Sequence, residues 1–442
     1  MLSEVAVKNT FVLLTIALVI SLTSCSSYIA PSNENVSSGN EGKLTLMVYM
    51  AADNDLESAA LEDLNEMEAA FYDEEKITVL VLLDRSDLYD NSNGNWSSTR
   101  LYKVKHDANG MNKTIVSEQL PCPELSLELS HDSELDMSSK KTLSGLLSYS
   151  CRAFPADRYA LVMWGHGTGW RGLSLDGISY SSKKVKAFAF DDNGGGYMHL
   201  CTLREAIEDG MKDEVLEFIG FDTCFGAELE VCYELKNCAR WLCGTEGLSP
   251  YSGWNYTTWL HEISRNISAG QDFFSLPEPK DDTSFAVVSL SHIGELFASF
   301  DSLASSLTKC ICSEDDVESL KKLVRSAGLL FVPNAKSEAY ISIYDFLSAV
   351  ESEFPHLAEE IKDVERDLFN SVQTRTSNGH IPLGVFVCEL DASGDISSPF
   401  PASYVNGSGE KNQCAFVKDS VGYVPTFAGG GLLGMLFRKN NF

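Results

Sequence analysis

Four runs of this chain are almost continuously apolar, without the polar alternation of a half-solvated strand: Leu44 to Met50, Ile77 to Leu83, Tyr159 to Trp164 and Leu216 to Phe221. Strands of that kind are buried on both faces, which is the habit of a parallel sheet with helices above and below it. Helical spacing between the runs supplies the covering layers. Asp53 to Phe71 opens on an Asp/Asn start signal. Helices also fit Ser138 to Ala153, Thr202 to Met211, Ala227 to Leu235, Tyr256 to Ile267, Ile293 to Leu307, Val317 to Ala327 and Tyr340 to Gln373, the last broken by Pro355. Further strands fit Arg100 to Val104, Arg240 to Gly244, Phe285 to Ser291 and Leu383 to Glu389. This alternation predicts an α/β/α sandwich around a mostly parallel sheet. No internal repeat is visible. The main domain is expected over residues 43–375, and a small strand-rich C-terminal lobe, marked by a Gly, Ser and Pro-rich composition, over 376–442.

The first 25 residues follow a different logic. Lys8 precedes an apolar run from Phe11 to Leu22, and small residues and a cysteine follow in Leu22-Thr23-Ser24-Cys25. The run is too short to cross a hydrocarbon core of about 30 Å, so it reads as a signal peptide over 1–25. Its end resembles a bacterial lipobox, which implies lipidation of Cys25 and a chain exported to the cell envelope and held at the membrane; simple secretion is the alternative. Residues 26–42, rich in Ser, Asn, Glu and Gly, read as a flexible tether.

Lys plus Arg total 34 against 63 for Asp plus Glu, a formal charge of -29. Such a field repels phosphate backbones, which excludes nucleic acid as a partner, and draws in cationic peptides.

In open parallel sheets the site forms beyond the carboxyl ends of the strands. Two strand ends carry chemistry. Tyr159 to Trp164 empties into Gly165-His166-Gly167-Thr168-Gly169-Trp170, an imidazole on a glycine loop. Leu216 to Phe221 empties into Asp222-Thr223-Cys224-Phe225-Gly226, with a helix expected from Ala227; a thiol facing a helix N-terminus is placed where thiolate is favoured. His166 precedes Cys224 by 58 residues, enough for a crossover between parallel strands. A Cys nucleophile with a His base is the chemistry those residue types offer together. The plainer roles are a turn-capping histidine and a buried small apolar cysteine.

Four segments, Leu46 to Glu57, Trp164 to Trp170, Gly220 to Leu235, and Glu246 through Gly253-Trp254-Asn255-Tyr256, resemble the clostripain family of cysteine peptidases, relatives of caspases, legumains and gingipains. The resemblance implies a caspase-like sandwich and an endopeptidase cutting after Arg or Lys. It makes His166 the catalytic histidine, Cys224 the nucleophile, Gly167 and Cys224 the backbone donors of the oxyanion hole, and Asp222 the acid that receives a basic side chain. Capping a helix is the plainer role for Asp222. Thr223 stands where Ala is common and Phe225 where Leu is usual. Relatives often cut themselves between the His and Cys strands, which makes Lys183, Lys184 and Lys186 the candidate cut sites. The family also implies use of calcium, for which the oxygens of Asp53-Asn54-Asp55-Leu56-Glu57 and of Asp191-Asp192-Asn193 are candidates; neither run has the spacing of an EF-hand loop. No cofactor is required by the sequence itself. Two rival readings share these residues: an inert peptide-binding lipoprotein on the same scaffold, and a legumain-like transpeptidase.

Other signals carry nothing. Gly429-x-Gly431-x-x-Gly434 has no βαβ unit after it, no Gly-x-Ser-x-Gly elbow occurs, and His261-Glu262 lacks the second histidine of a zinc peptidase. Cys310-x-Cys312 has no partner pair at zinc-ligand spacing. Setting aside Cys25 and Cys224, ten cysteines remain, and their spacing pairs none of them.

Overall fold

The computed structural model describes residues 42–170, 188–193, 196–269, 284–310, 312–327, 329–330, 338–374, 379–390, 396–398, 414–415 and 419. The signal and tether, Cys25, Lys183, Lys184, Lys186 and the glycine run at 429–434 lie outside them.

The central sheet has eight strands: β1 (Leu44–Ala52), β2 (Ile77–Arg85), β3 (Thr99–Lys103), β4 (Glu118–Leu120), β5 (Arg158–Trp164), β8 (Leu216–Asp222), β9 (Ala239–Thr245) and β10 (Phe285–Ser289). Their spatial order is β10-β9-β8-β5-β1-β2-β3-β4. The five strands from β9 to β2 run parallel, and the antiparallel β10, β3 and β4 close the two edges. β6 (Phe188–Asp191) and β7 (Gly196–Met198) form a separate hairpin ladder between β5 and β8 in the chain.

Successive side chains of β1 go to opposite sides, and both sides are packed. Leu46, Val48 and Met50 join the core under α1 (Glu57–Ala69) and α5 (Tyr256–Ser268). Met47, Tyr49 and Ala51 join the core under α2 (Lys140–Ala153), α3 (Leu200–Met211), α4 (Leu229–Glu234) and α6 (Ile293–Cys310). The absence of polar alternation in the four apolar runs is thus explained by helices on both faces, and the sandwich is a three-layer α/β/α arrangement.

A second sheet of order β11-β12-β13-β14 is built from β11 (Leu329–Leu330), β12 (Glu338–Ser342), β13 (Gly384–Leu390) and β14 (Ile396–Ser398), beside α7 (Glu314–Ser326), α8 (Ile343–Glu353) and α9 (Ala358–Ser371). Two expectations change here. Tyr340 lies in β12 instead of opening a long helix, because its ring is fully buried and its hydroxyl donates to Thr168 O at 3.1 Å. The expected boundary at 375 falls inside this sheet, since β12 and β13 pair across it. Gly384 N also donates to Ala227 O, which ties this sheet to the segment just after β8.

The loop after β2 is held by a fully buried ion pair. Arg85 Nε donates to Glu57 Oε1 at 2.6 Å, its other nitrogens reach the carbonyls of Asp90 and Ser92, and Glu57 Oε2 accepts from Asp90 N. Glu57 is therefore consumed, which removes it from the candidate calcium ligands. Removing one member of such a pair leaves a buried charge alone. Arg85→Ala is expected to lower unfolding free energy by about 3–5 kcal/mol in urea titration; a loss under about 1 kcal/mol would show the pair to be decorative.

Candidate active site

The parallel register of β5 and β8 sets Trp164 opposite Asp222, so the loops that leave the two strands start level. Gly165 N donates to Asp222 O at 3.3 Å and continues the pairing one step further. Gly167 then lies against the neighbouring loop so closely that a Cβ there would stand 2.5 Å from both Cys224 O and Thr223 Oγ1. The glycine next to His166 is what lets the two loops touch. His166 and Cys224 both line one cavity of about 190 Å³, with Trp164, Asp222, Ser249 and Tyr251 around them.

His166 is oriented by a residue whose sequence reading was different. Its Nε2 lies 2.7 Å from Asp55 Oδ1, and its ring meets Phe190 edge-on with centroids 5.9 Å apart. An ionised carboxylate only accepts, so Nε2 carries the hydrogen and Nδ1 is the basic nitrogen of the neutral ring. Asp55, grouped above with oxygens for calcium, serves the imidazole instead. Nothing in the run Asp53 to Glu57 announces which acid does what.

Cys224 is half-buried, and its Sγ accepts from Ser249 N at 3.3 Å. The expected helix N-terminus is not there. The helix begins at Leu229 and has six residues, because Phe225 N and Ala227 N are drawn into hydrogen bonds with Gly247 O and Thr245 O beside β9. The chain after the cysteine is a turn whose amides bond the end of the neighbouring strand and the residues just beyond it. Phe225 turns it sharply: its φ of 54° is in the left-handed region, at a cost of order 1–3 kcal/mol for such a side chain. Its ring, buried against Tyr340 with centroids 4.9 Å apart, holds the turn. The Phe225 amide is committed to Gly247 O.

Asp222 is 5% exposed and caps no helix. Its Oδ2 accepts from Tyr256 Oη at 3.0 Å and from Trp254 N at 3.2 Å. Burial, reinforced by the Asp222 charge, holds the Tyr256 hydroxyl well above the usual tyrosine range, so it stays a donor. A second acid was not legible in the sequence. Asp63, on α1, is also buried and accepts from Trp164 Nε1 at 2.7 Å. Gly253, at φ 59°, separates the two: a Cβ there would stand 3.0 Å from Asp63 Oδ2 and 3.1 Å from Asp222 Oδ2.

A family model described as the clostripain family, peptidase C11, matches residues 48–377. The chain belongs to the clostripain family of cysteine peptidases. It is 28% identical over 201 residues to clostripain of Hathewaya histolytica, a match covering 44% of this chain and 36% of that one, so the shared stretch spans about a third of clostripain's length. Two crystal structures share the fold. An inactive zymogen C11 protease from Parabacteroides distasonis superposes with a TM-score of 0.58 at 17% identity, over 87% of this chain and 99% of the other. A secreted C11 cysteine protease from Bacteroides thetaiotaomicron, in complex with an irreversible peptide inhibitor, gives 0.54 at 18% identity, over 86% and 100%.

Among the described residues no helix is long and apolar enough to cross a membrane, and every cysteine whose side chain is described is a free thiol. Cys310 Sγ does meet a ring nitrogen, His356 Nε2 at 3.3 Å, from a residue too distant in sequence for spacing to reveal. Gly167→Ala tests the loop contact. The added methyl must push the histidine and cysteine loops apart, and displacements near 1 Å cost a cysteine peptidase about 100-fold in rate. Hydrolysis of a peptide amide is expected to fall by that order while circular dichroism stays unchanged; wild-type turnover would refute the contact's importance.

Proposed function

We propose that the protein is an exported endopeptidase that cleaves after Arg or Lys, with Cys224 as nucleophile and His166 as acid–base group. The observation that carries this reading is a single one: thiol, imidazole and the buried Asp222 carboxylate line the same cavity at adjacent strand ends. Cys224 Sγ attacks the scissile carbonyl as its proton passes to His166 Nδ1. The amide hydrogens of Gly167 and Cys224 receive the developing oxyanion, a donor set worth a few kcal/mol. His166 returns the proton to the leaving amine, and water then cleaves the thioester. Asp55 holds the imidazole in the tautomer this cycle needs.

Specificity follows from charge. A guanidinium or ammonium entering the cavity meets Asp222, a cavity-lining carboxylate that also accepts from Tyr256 and Trp254, and desolvation strengthens that ion pair. Asp63 adds a second carboxylate beside Gly253. The overall charge of -29 draws basic peptides toward the sheet edge. The thiol and imidazole carry out the reaction without a cofactor. Lipid on Cys25 would hold the enzyme at the cell envelope, and a cut at Lys183, Lys184 or Lys186 would mature it.

A series of peptides differing only at the residue before the scissile bond is the test, run on the purified full-length protein. Arg and Lys are expected to exceed Leu by at least about 100-fold in kcat/KM. Cys224→Ala should abolish turnover, and Asp222→Asn should reduce the Arg-over-Leu ratio at least tenfold. Turnover by Cys224→Ala would sink the nucleophile, and an unchanged ratio in Asp222→Asn would sink the pocket.

A further inference from the structure

One short stretch of chain, residues 245–251, both props the cysteine and walls the cavity. Thr245 O and Gly247 O accept from Ala227 N and Phe225 N in the turn after Cys224. Ser249 N donates to Cys224 Sγ, and Ser249, Pro250 and Tyr251 line the cavity. Glu246 belongs to the same stretch and is 2% exposed. Its carboxylate meets a residue of the segment that leads into β13: His380 Nε2 lies 2.7 Å from Glu246 Oε1. The other ring nitrogen, Nδ1, stands 3.8 Å from Asp345 Oδ1 on α8, and Tyr344 of that helix meets the ring edge-on with centroids 5.7 Å apart.

Backbone contacts accompany the side-chain pair. Gly384 N donates to Ala227 O at 3.0 Å, and a Cβ on Gly384 would stand 3.0 Å from Glu246 O, so the start of β13 presses on the same stretch. The pair joins residues 134 apart in sequence, and His380 lies just past residue 377, where the match to the family ends.

We propose that His380 is a positioning residue for the peptidase reaction: as a cation paired with Glu246 it fixes residues 245–251, and through them the Cys224 thiol and the cavity wall. The proposal rests on the peptidase reading of Cys224. A buried carboxylate needs a partner, and a charged donor holds it about twice as strongly as a neutral one. The charge on His380 therefore decides how firmly the stretch is held.

The sign of the pH dependence follows from the two partners. The hydrogen bond to Glu246, against burial and with the charges of Glu246 and Asp345, raises His380 above the ordinary 6.5. Burial raises Glu246 above its ordinary 4.5. The ionised pair is lost as pH falls through the raised Glu246 value, and again as pH rises through the raised His380 value. The result is an alkaline limit on catalysis that belongs to neither His166 nor Cys224.

The test follows the rate at which a peptidyl electrophile with a terminal Arg modifies Cys224, across pH, in the full-length parent, His380→Gln and Asp345→Asn; NMR titrates the His380 ring. His380→Gln is expected to react about tenfold more slowly than the parent at about pH 6, and within about twofold of it at about pH 9, where the parent ring is neutral. Asp345 is half-exposed, so Asp345→Asn keeps the fold even if His380→Gln does not. It should lower the His380 titration, match the parent at both pH extremes and lag it between them. A parent-to-His380→Gln ratio that is the same at both pH values would overturn the positioning role. So would an Asp345→Asn protein whose His380 titration and reactivity equal the parent's. If Cys224 of the parent takes no adduct at any pH, the peptidase reading itself falls, and the proposal with it.

Discussion

The parallel pairing of β5 with β8 is the constraint on which the rest of the site depends. Pairing Trp164 with Asp222 brings two chain segments, far apart in sequence, out of the sheet at one height. Glycine at 167 then lets backbone touch backbone, so the imidazole and the thiol share a cavity without a long side chain reaching for either. Both strands are covered on both faces, and a one-residue slip would send core side chains to the wrong layer. The same hydrophobic packing that fixes the register therefore fixes the distance over which the chemistry would run.

Acidic residues perform most of the specialised work around that frame, and what separates their roles is what each carboxylate accepts from. Glu57 is neutralised by Arg85 and braces a loop. Asp55 takes the imidazole hydrogen. Asp222, in the cavity wall, accepts from Tyr256 and Trp254, and the buried Asp63 accepts from Trp164. Asp53 and Asp84 keep buried oxygens that no donor reaches. A chain with almost two acids for every base can place carboxylates at many sites, and the fold decides what each one accepts from.

The layers, the central strands and the two strand ends that carry His166 and Cys224 were legible because unbroken apolar runs and glycine-flanked polar residues are local signals. The partners of those residues were not. Asp55 sits in a run of alternating polar residues in which any acid looks equivalent, and Asp63 lies on a helix whose neighbours Glu62 and Glu66 suggest a solvated face. Both acquire their roles only when Trp164 and His166 arrive from 100 residues or more away. The helix after Cys224 was overread for a related reason: the propensity of Ala227 to Leu235 is helical, but Thr245 and Gly247 offer carbonyls that capture its first amides. Tyr340 likewise fits a helix until its hydroxyl finds Thr168 across the fold.

The account stands or falls on Cys224 being a nucleophile beside a site that reads positive charge. Peptidyl electrophiles identical except for a terminal Arg or Leu, applied to the full-length protein and followed by intact mass and peptide mapping, address both halves at once. A single adduct on Cys224, formed much faster with Arg and slowed by His166→Ala, is the predicted result. Labelling spread over other cysteines, or equal rates for Arg and Leu, would contradict it.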